Sequence, residues 1–374
     1  MGTVRSDGGI VSFTVRGGDR TANIANAEAR FFGFDLDRIN LSGNLIGQTN
    51  LDLTGVTTFA VTDAATGATI GAVNGADTFD LTFDPSVAFE GPGGLRFIGR
   101  SVMLPAINGL SRLEVTATDS LTLTGDIQMN NDAGGLGGTI DLREAGTIVL
   151  ASPIRLDTDL PGSTEAGAVL LNGAAIDGAG LALTIDTNND SGEGFGTISL
   201  GDATLDSLTL FGGPVELNGA VSVSQTLGFS RVESVLVAGD ASIATSGANL
   251  SFADLDVNGP GSLAIDLTGS GAPGLLDLDG AIGNTDPLAS LSITGGPFAL
   301  REVTTLGDQT YTSSSLVRLD GDLESGSGGT IRFNGGVFFD DDRTITTGGG
   351  ANDHVEFLGT VTGLHASPTT ETAR

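Results

Sequence analysis

Apolar and polar residues alternate in short runs along most of the chain, and Gly, Asn and Asp separate one run from the next. Residues 51–55 read LDLTG and residues 79–83 read FDLTF. Successive side chains of a β-strand point to opposite faces, so these runs predict strands with one apolar and one polar face. Near the start the pattern changes. Residues 21–32 read TANIANAEARFF, whose Ala and Glu content favours one short helix.

One seven-residue motif recurs: two apolar residues two positions apart, Gly two positions after the second, and another apolar residue two positions after the Gly. It reads LTLTGDI at Leu121, VELNGAV at Val215, LDLDGAI at Leu276, VRLDGDL at Val317, IRFNGGV at Ile331 and VEFLGTV at Val355. Two apolar side chains at this spacing share one strand face, and the Gly permits a bend or a close backbone approach. The motif therefore predicts an inward-facing strand, a corner and the start of the next inward-facing run.

Longer stretches of the chain also repeat. Residues 204–217 read TLDSLTLFGGPVEL, and residues 287–300 read PLASLSITGGPFAL. After both stretches the match continues: Gln225 answers Gln309, Asp240 answers Asp322 and Phe252 answers Phe333. Weaker copies bring the starting points to residues near 36, 110, 205 and 288, which is typical of a repeat architecture. We divide the chain into an N-terminal cap or irregular segment (1–35), the repeats (36–363) and a polar tail expected to be disordered (364–374).

Short strands without crossover helices, in repeats several strands long, favour a right-handed parallel β-solenoid, or β-helix, built from degenerate repeats. Each turn of the backbone would take roughly 20 to 25 residues, with Leu, Ile, Val and Phe stacked inside. The alternative is an array of small β-sandwich domains, one for each large repeat. Both the β-solenoid and the β-sandwich interpretation predict an all-β chain.

The composition limits the classes of partner that the chain can bind. The chain of 374 residues has 46 acidic and 16 basic residues, a formal net charge of −30, and every basic residue is Arg. Such a surface repels phosphate backbones and anionic membranes, so we expect no nucleic-acid partner. No apolar run approaches the 18 residues of a membrane span, so no membrane insertion is expected. The chain has no Cys, which excludes disulfides and thiolate chemistry.

The repeats carry a resemblance. LASLSITGG begins at Leu288, Gln309-Thr310 follows, and LDGDLESGSGGTIRFNG begins at Leu319. This style of repeat resembles the repeat units of filamentous-haemagglutinin-like bacterial exoproteins and of autotransporter passengers, best over residues 205–363. The resemblance implies a large, exported β-helical protein at the cell surface or outside the cell. The sequence start, MGTVRSDGG, has no signal-peptide pattern, so we expect a mature or partial chain.

Candidate catalytic groups are few. The imidazoles are His354, beside a predicted strand, and His365, in the polar tail; they lack metal-ligand spacing, and a surface role is the ordinary interpretation of both. The densest acidic cluster is residues 340–342, three Asp in a predicted turn, where solvated Asp is the usual occupant. Parallel β-helices do include enzymes that cleave polysaccharides with paired carboxylates, so this alternative stays open. We expect no enzyme.

Two segments resemble calcium loops. Asp186, Asn188 and Asp190 place oxygens at alternate positions, although the expected Gly is displaced by one and Thr197 stands where a bidentate Glu is required. Asp353 lies in GGGANDHV, which resembles a single nonapeptide calcium turn. Plain Asx turns account for both segments, so no cofactor is expected and calcium remains a weak candidate.

The sequence therefore predicts a structural or adhesive segment of a large secreted or cell-surface bacterial protein, acting as a rigid stalk or display scaffold. Its partners would be a host or neighbouring cell surface, or other extracellular matrix components, bound through loops. The alternatives are a carbohydrate-active β-helix enzyme and a calcium-dependent surface-layer or toxin-type module.

Overall fold

A computed structural model describes residues 3–14, 20–53, 55–62, 67–72, 80–129, 138–159, 166–188, 195–269, 272–326, 328–351 and 353–363. These residues form β-strands, turns and bends, and none of them is helical. The prediction of an all-β chain is confirmed. The same residues contain no helix that is long and apolar enough to cross a membrane.

The described residues form thirty-six strands. The first eighteen are β1 (Thr3–Thr14), β2 (Thr21–Ile24), β3 (Asn26–Asp35), β4 (Arg38–Leu41), β5 (Leu45–Asp52), β6 (Thr58–Val61), β7 (Ala68–Ala72), β8 (Leu81–Thr82), β9 (Ala88–Glu90), β10 (Gly94–Leu104), β11 (Ile107–Leu110), β12 (Arg112–Leu123), β13 (Ile127–Met129), β14 (Thr139–Leu150), β15 (Ile154–Asp157), β16 (Val169–Leu170), β17 (Ala175–Thr187) and β18 (Ile198–Leu200). The others are β19 (Ala203–Gly212), β20 (Val215–Leu217), β21 (Ala220–Ser230), β22 (Val235–Val237), β23 (Ala241–Thr245), β24 (Leu250–Ala253), β25 (Val257–Asn258), β26 (Ser262–Asp266), β27 (Leu276–Leu278), β28 (Ser290–Gly295), β29 (Phe298–Leu300), β30 (Val303–Thr305), β31 (Gln309–Leu319), β32 (Leu323–Ser325), β33 (Ile331–Phe339), β34 (Ile345–Thr346), β35 (Val355–Phe357) and β36 (Val361–Gly363).

The chain divides into two compact units. Unit 1 comprises Met1–Glu216 with Ser230–Glu233, and unit 2 comprises Leu217–Phe229 with Ser234–Arg374. In unit 1, β1 pairs with β3 and β3 with β5, while β10 pairs with β12 and β12 with β14, all in parallel. A separate four-stranded parallel sheet joins β2, β4, β6 and β9.

Unit 2 follows the same scheme. Strands β23, β26, β28, β31 and β33 pair in parallel, one after another. Strands β24, β27, β29 and β31 form a second parallel series, and β30, β32 and β34 form a three-stranded sheet. An array of β-sandwiches does not fit these pairings, because sandwich sheets are antiparallel.

Register partners lie a short distance apart in sequence. Thr21 pairs with Arg38, 17 positions on, and Thr58 pairs with Ala88, 30 positions on. We call the stretch from a residue to its register partner one layer. Because the layers stack in register, equivalent side chains form columns: in unit 1 one column holds Leu113, Ile140, Val169 and Ile198, all at 0% exposure.

The seven-residue motif behaves as predicted in its first five copies. Both leading apolar residues of each copy are at most 5% exposed: Leu121 and Leu123, Val215 and Leu217, Leu276 and Leu278, Val317 and Leu319, and Ile331 and Phe333. The final copy differs, since Phe357 is 37% and Val361 49% exposed. In this copy β35 and β36 both pair with β33.

The motif glycine stands where two backbones approach closely. A Cβ at Gly280 would lie 2.0 Å from the Leu255 carbonyl oxygen, one layer earlier. At Gly321 it would lie 2.4 Å from the Arg301 carbonyl carbon. No side chain fits at these distances, so the close-approach explanation of the motif is confirmed.

The predicted N-terminal helix is wrong. Residues 21–32 fall in β2 and β3, with Ala27 and Ile24 buried, because pairing with β4 and β5 outweighs the helix preference of Ala and Glu. Within the segment 1–35, the described residues 3–14 and 20–35 lie mostly in strands β1, β2 and β3, and β3 pairs in parallel with β5 of the following segment. The tail, 364–374, lies outside the described residues.

Candidate functional site

Short acidic and amide side chains join the corners of successive layers. In each case an Asp or Asn stands directly before the first buried residue of a strand, and its side-chain oxygen accepts the backbone N–H of the residue that faces it one layer later. The pairs are Asn26 with Asn44, Asp126 with Arg155, Asp240 with Ser262, Asn249 with Leu275, Asp256 with Ala281, Asp308 with Thr330 and Asp322 with Thr344, at 2.8–3.2 Å. We call these side chains corner bridges.

Several corner bridges contact three layers. The carbonyl oxygen of Asp256 accepts the N–H of Val235 at 3.1 Å, one layer earlier, while its carboxylate accepts the N–H of Ala281 at 3.0 Å. Asp126 does the same between Ile107 and Arg155. These Asp residues therefore hydrogen-bond the backbone, in addition to contributing to the charge of −30.

The core of unit 2 contains a polar network. The Tyr311 hydroxyl donates to Gln309 Oε1 at 2.9 Å, and Gln309 Nε2 donates to Thr305 Oγ1 at 3.1 Å and to the Glu324 carbonyl oxygen at 2.6 Å. Tyr311 and Gln309 are fully buried, and burial raises the pKa of the Tyr311 phenol. Gln225, which matches Gln309 in the sequence repeat, is exposed, so the two matching residues lie in different environments.

Ion pairs line the outward faces of unit 1. Arg100 binds both carboxylate oxygens of Asp80, at 2.9 and 2.6 Å, and these hydrogen bonds lower the pKa of Asp80. Arg143 binds Asp141 in the same forked manner and lowers the pKa of that carboxyl group. Asp80 and Arg100 are about half exposed, so the pair stabilises the fold weakly.

The described residues of each unit include a groove. The groove of unit 1 is about 290 Å³ and lies on the outward faces of β10, β12 and β14; its charged lining is Arg96, Arg112, Arg143, Glu114, Asp141 and Glu144. Arg96 reaches both Thr116 and Glu144, at 3.0 and 3.1 Å. The opposite charges balance, so the groove carries little net charge toward a ligand.

The groove of unit 2 is about 440 Å³ and more acidic, with Asp279, Glu302, Asp320 and Asp322 against Arg301 and Arg343. Three of its carboxylates already have partners: Asp279 pairs with Arg301 at 2.9 Å, Asp320 pairs with Arg318, and Asp322 is a corner bridge. Neither groove has an aromatic residue in its lining.

The calcium candidates do not converge. Asp186 accepts Arg155 Nη2 at 2.7 Å and the Asn188 N–H at 3.1 Å, while Asn188 Oδ1 is buried without a hydrogen-bond partner. Asp190 lies outside the described residues. Asp353, in unit 2, accepts the N–H groups of Gly350 and Gly328, so its carboxylate holds a turn. In the part of the chain that the structure covers, no three His, Cys, Asp or Glu side chains form a metal-binding group.

The other candidates are also dispersed. His354 Nε2 lies 2.8 Å from Glu356 Oε1, and this contact, with Arg332, lowers the pKa of Glu356. In the cluster at 340–342, Asp341 accepts the N–H of Asp342 at 2.9 Å. His365 lies outside the described residues.

No protein-family model, curated protein or solved structure matches this chain. The resemblance to haemagglutinin-like exoproteins therefore stays a prediction from the repeats.

The corner bridges are a structural feature that the sequence analysis missed. A signal was available, because Gly-Asp stands before a strand at Asp126, Asp240, Asp308 and Asp322. The dipeptide combines a residue without a side chain, where backbones approach closely, with an acceptor that reaches the next layer.

Proposed function

We propose that this chain is a right-handed parallel β-solenoid that serves as a rigid stalk or display scaffold, a structural or adhesive segment of a large secreted or cell-surface bacterial protein. The observation that carries the proposal is the in-register stacking of layers within each unit. Buried columns such as Leu113, Ile140, Val169 and Ile198 continue from layer to layer. A chain organised in this way contacts mainly its nearest neighbours and grows along one axis.

Stiffness follows from the lateral bonding. Backbone hydrogen bonds of the parallel ladders and the corner bridges both connect one layer to the next, so bending would stretch several bonds at each layer. A stalk requires this property, whereas an enzyme or receptor of the same size needs a concave site.

Partners would be a host or neighbouring cell surface, or other extracellular matrix components, contacted by outward loops. The net charge of −30 keeps such a scaffold soluble and self-repelling. We propose no nucleic-acid contact, no membrane insertion and no catalytic step.

Small-angle X-ray scattering of the purified chain tests the scaffold. We expect a distance distribution with a long tail and a cross-section about two sheets wide, on the order of 20 Å. A symmetrical distribution typical of a compact particle of 374 residues would contradict the proposal.

Surface display has its own test: protease treatment of intact producing cells should degrade the protein while a cytoplasmic marker survives.

The acidic groove of unit 2 is where the enzymatic alternative would act. Glu302 is the carboxylate there to which we assign neither an ion pair nor a corner bridge. Incubation with acidic and neutral polysaccharides should give no cleavage. Cleavage that is lost in Glu302→Gln and kept in the exposed Asp254→Asn would replace the scaffold with an enzyme.

A further inference from the structure

Six Asn residues in the sequence stand directly before a Gly: Asn74, Asn108, Asn172, Asn218, Asn258 and Asn334. At such a dipeptide the backbone nitrogen of the Gly can lose its proton and attack Cγ of the Asn. The Cγ–Nδ2 bond breaks, the nitrogen leaves as ammonia with that proton, and water opens the resulting succinimide to Asp or isoaspartate. Gly favours the attack, because it has no side chain to obstruct the nitrogen and its backbone reaches many conformations. Asn74 lies outside the described residues.

Asn108 and Gly109 meet the requirements of this reaction in the folded chain. Asn108 is exposed in β11, and within the described part of the chain no hydrogen bond holds its side chain. Gly109 is the extra residue of a bulge, because Asn108 faces Gln128 and Leu110 faces Met129 in the pairing of β11 with β13. Its φ is +96°, and a Cβ built on it would meet no atom within 4 Å. The amide and the backbone that must approach it are therefore both unrestrained.

Asn258 shows the opposite arrangement. Its Oδ1 accepts the N–H groups of Thr285 and Asp286, at 3.1 and 3.3 Å. The N–H of Gly259, which would supply the attacking nitrogen, donates to the Asp286 carbonyl oxygen at 2.9 Å. Both reacting groups are thus held by the next layer.

Asn334 is also restrained. Its Nδ2 donates to Thr312 Oγ1 at 3.1 Å, one layer earlier. A Cβ at Gly335 would lie 2.8 Å from the Ser313 carbonyl oxygen, so the backbone after Asn334 packs closely against the same layer. Rotation of the amide toward the Gly335 nitrogen would require this packing to loosen.

The two remaining pairs are restrained by packing. Asn172 Oδ1 is buried, and a Cβ at Gly173 would lie 2.3 Å from the Arg143 carbonyl oxygen. Asn218 is exposed, but its Oδ1 would lie 2.2 Å from a Cβ at Gly239, so the amide packs against the next layer. Among the described Asn-Gly pairs, Asn108 therefore combines exposure with the least restraint.

We propose that Asn108 is a site of spontaneous deamidation in the folded protein, where the Gly109 nitrogen displaces ammonia and water completes the conversion. The inference is independent of the proposed scaffold. The product replaces an amide by a carboxylate, and isoaspartate also lengthens the backbone by one carbon. That extra carbon falls between Ile107 and Leu110, at 1% and 0% exposure, so it disturbs the pairing of β11 with β13.

Peptide mapping of the folded protein after storage in mildly alkaline buffer tests the proposal, because the deprotonated amide is the nucleophile. Cleavage after Arg releases residues 101–112, where Asn108 is the only Asn, and residues 333–343, where Asn334 is the only Asn. We expect Asn108 to convert at least about tenfold faster than Asn334, whose hydrogen bond and packing must first be broken. In the denatured chain the two sites should convert at similar rates.

The product and one variant sharpen the test. Peptide 101–112 should contain both Asp and isoaspartate, and Asp alone would overturn the attack by Gly109. Thr312→Ala removes the acceptor of the Asn334 amide and should accelerate conversion there while leaving Asn108 unchanged. Equal acceleration at both sites would overturn the local protection. An unchanged Asn108 in the folded protein, or conversion no faster than at Asn334, would overturn the proposal.

Discussion

An Asp one position before a strand can connect three layers with a single residue. Asp256 receives the Val235 N–H on its carbonyl oxygen and the Ala281 N–H on its carboxylate. The geometry uses the shortest acidic side chain, since its oxygen must reach the backbone about one strand spacing away. At the residue scale, the acidic composition of this chain is therefore partly structural.

Removal of one corner bridge should lower stability measurably. Asp256→Ala leaves the partly buried N–H of Ala281 without its acceptor, and we expect a loss of about 1–2 kcal/mol in the free energy of unfolding. Asp256→Asn keeps an acceptor oxygen and should recover most of the loss. Chemical denaturation measures both, with the exposed Asp254→Ala as a control for the change in charge. Equal effects of Asp256→Ala and Asp254→Ala would show that charge, and not the bridge, matters.

The Asp80–Arg100 pair predicts a pH dependence. Hydrogen bonds from Arg100 lower the pKa of Asp80 in the folded state, so the pair's contribution to stability is complete above the unfolded-state pKa. It disappears as the pH falls through the lower, folded pKa. In Arg100→Gln the Asp80 pKa, followed by NMR titration, should rise toward its usual range.

Arg100→Lys separates charge from geometry at the same site. A lysine retains the charge and loses the forked hydrogen bonds, so we expect it to restore only part of the pKa shift. Full restoration by Lys would mean that the charge alone lowers the Asp80 pKa.

At the scale of elements, successive copies of one motif occupy different environments. Phe333 in β33 is fully buried between Tyr311, with centroids 5.2 Å apart, and Phe357, at 5.1 Å. Phe357 holds the same position in β35, and within the described part of the chain one layer, that of β33, covers it by strand pairing. Two copies of one motif therefore contribute unequal packing energy, according to the number of layers that cover them.

Truncation of these two rings should have unequal effects. Phe333→Ala removes a buried ring and leaves a cavity, which costs about 3–5 kcal/mol. Phe357→Ala should cost roughly 1 kcal/mol, because part of its surface already faces solvent. Denaturant midpoints of the two variants provide the measurement. Equal losses would indicate that Phe357 is covered in solution as fully as Phe333.

At the scale of the whole molecule, contacts run between layers that are close in sequence. Partners such as Gln309 and Ile331 are separated by one layer, and the pattern repeats throughout each unit. Stability is then approximately a sum of nearest-neighbour terms, and damage should stay local.

Hydrogen exchange can test this locality. Val317→Ala, at a fully buried position of β31, should accelerate amide exchange in β29, β31 and β33. Strands β10 and β12 of unit 1 should keep their protection. Uniform acceleration in both units would instead identify a single cooperative fold.

The local alternation of apolar and polar residues was sufficient to predict the strands and the faces that they bury. Residue pairs such as Leu121 and Leu123 are buried as their alternation requires, and the motif glycines mark close approaches of backbones. It failed at residues 21–32, where Ala-rich sequence favours a helix and pairing with later strands decides otherwise. It also treated Gln225 and Gln309 as equivalents, although only Gln309 is buried.

The sequence by itself determined the alternation of faces, the corners and the charge, because these depend on one residue and its near neighbours. Tertiary structure alone decided which Asp bridges which layer, which motif copy is covered and which of the two matching residues Gln225 and Gln309 is buried. These outcomes depend on which residues face each other across paired strands. Register partners lie 17 to 30 positions apart, because the layers differ in length. Period-two alternation identifies the face of a residue but not its neighbour across the ladder.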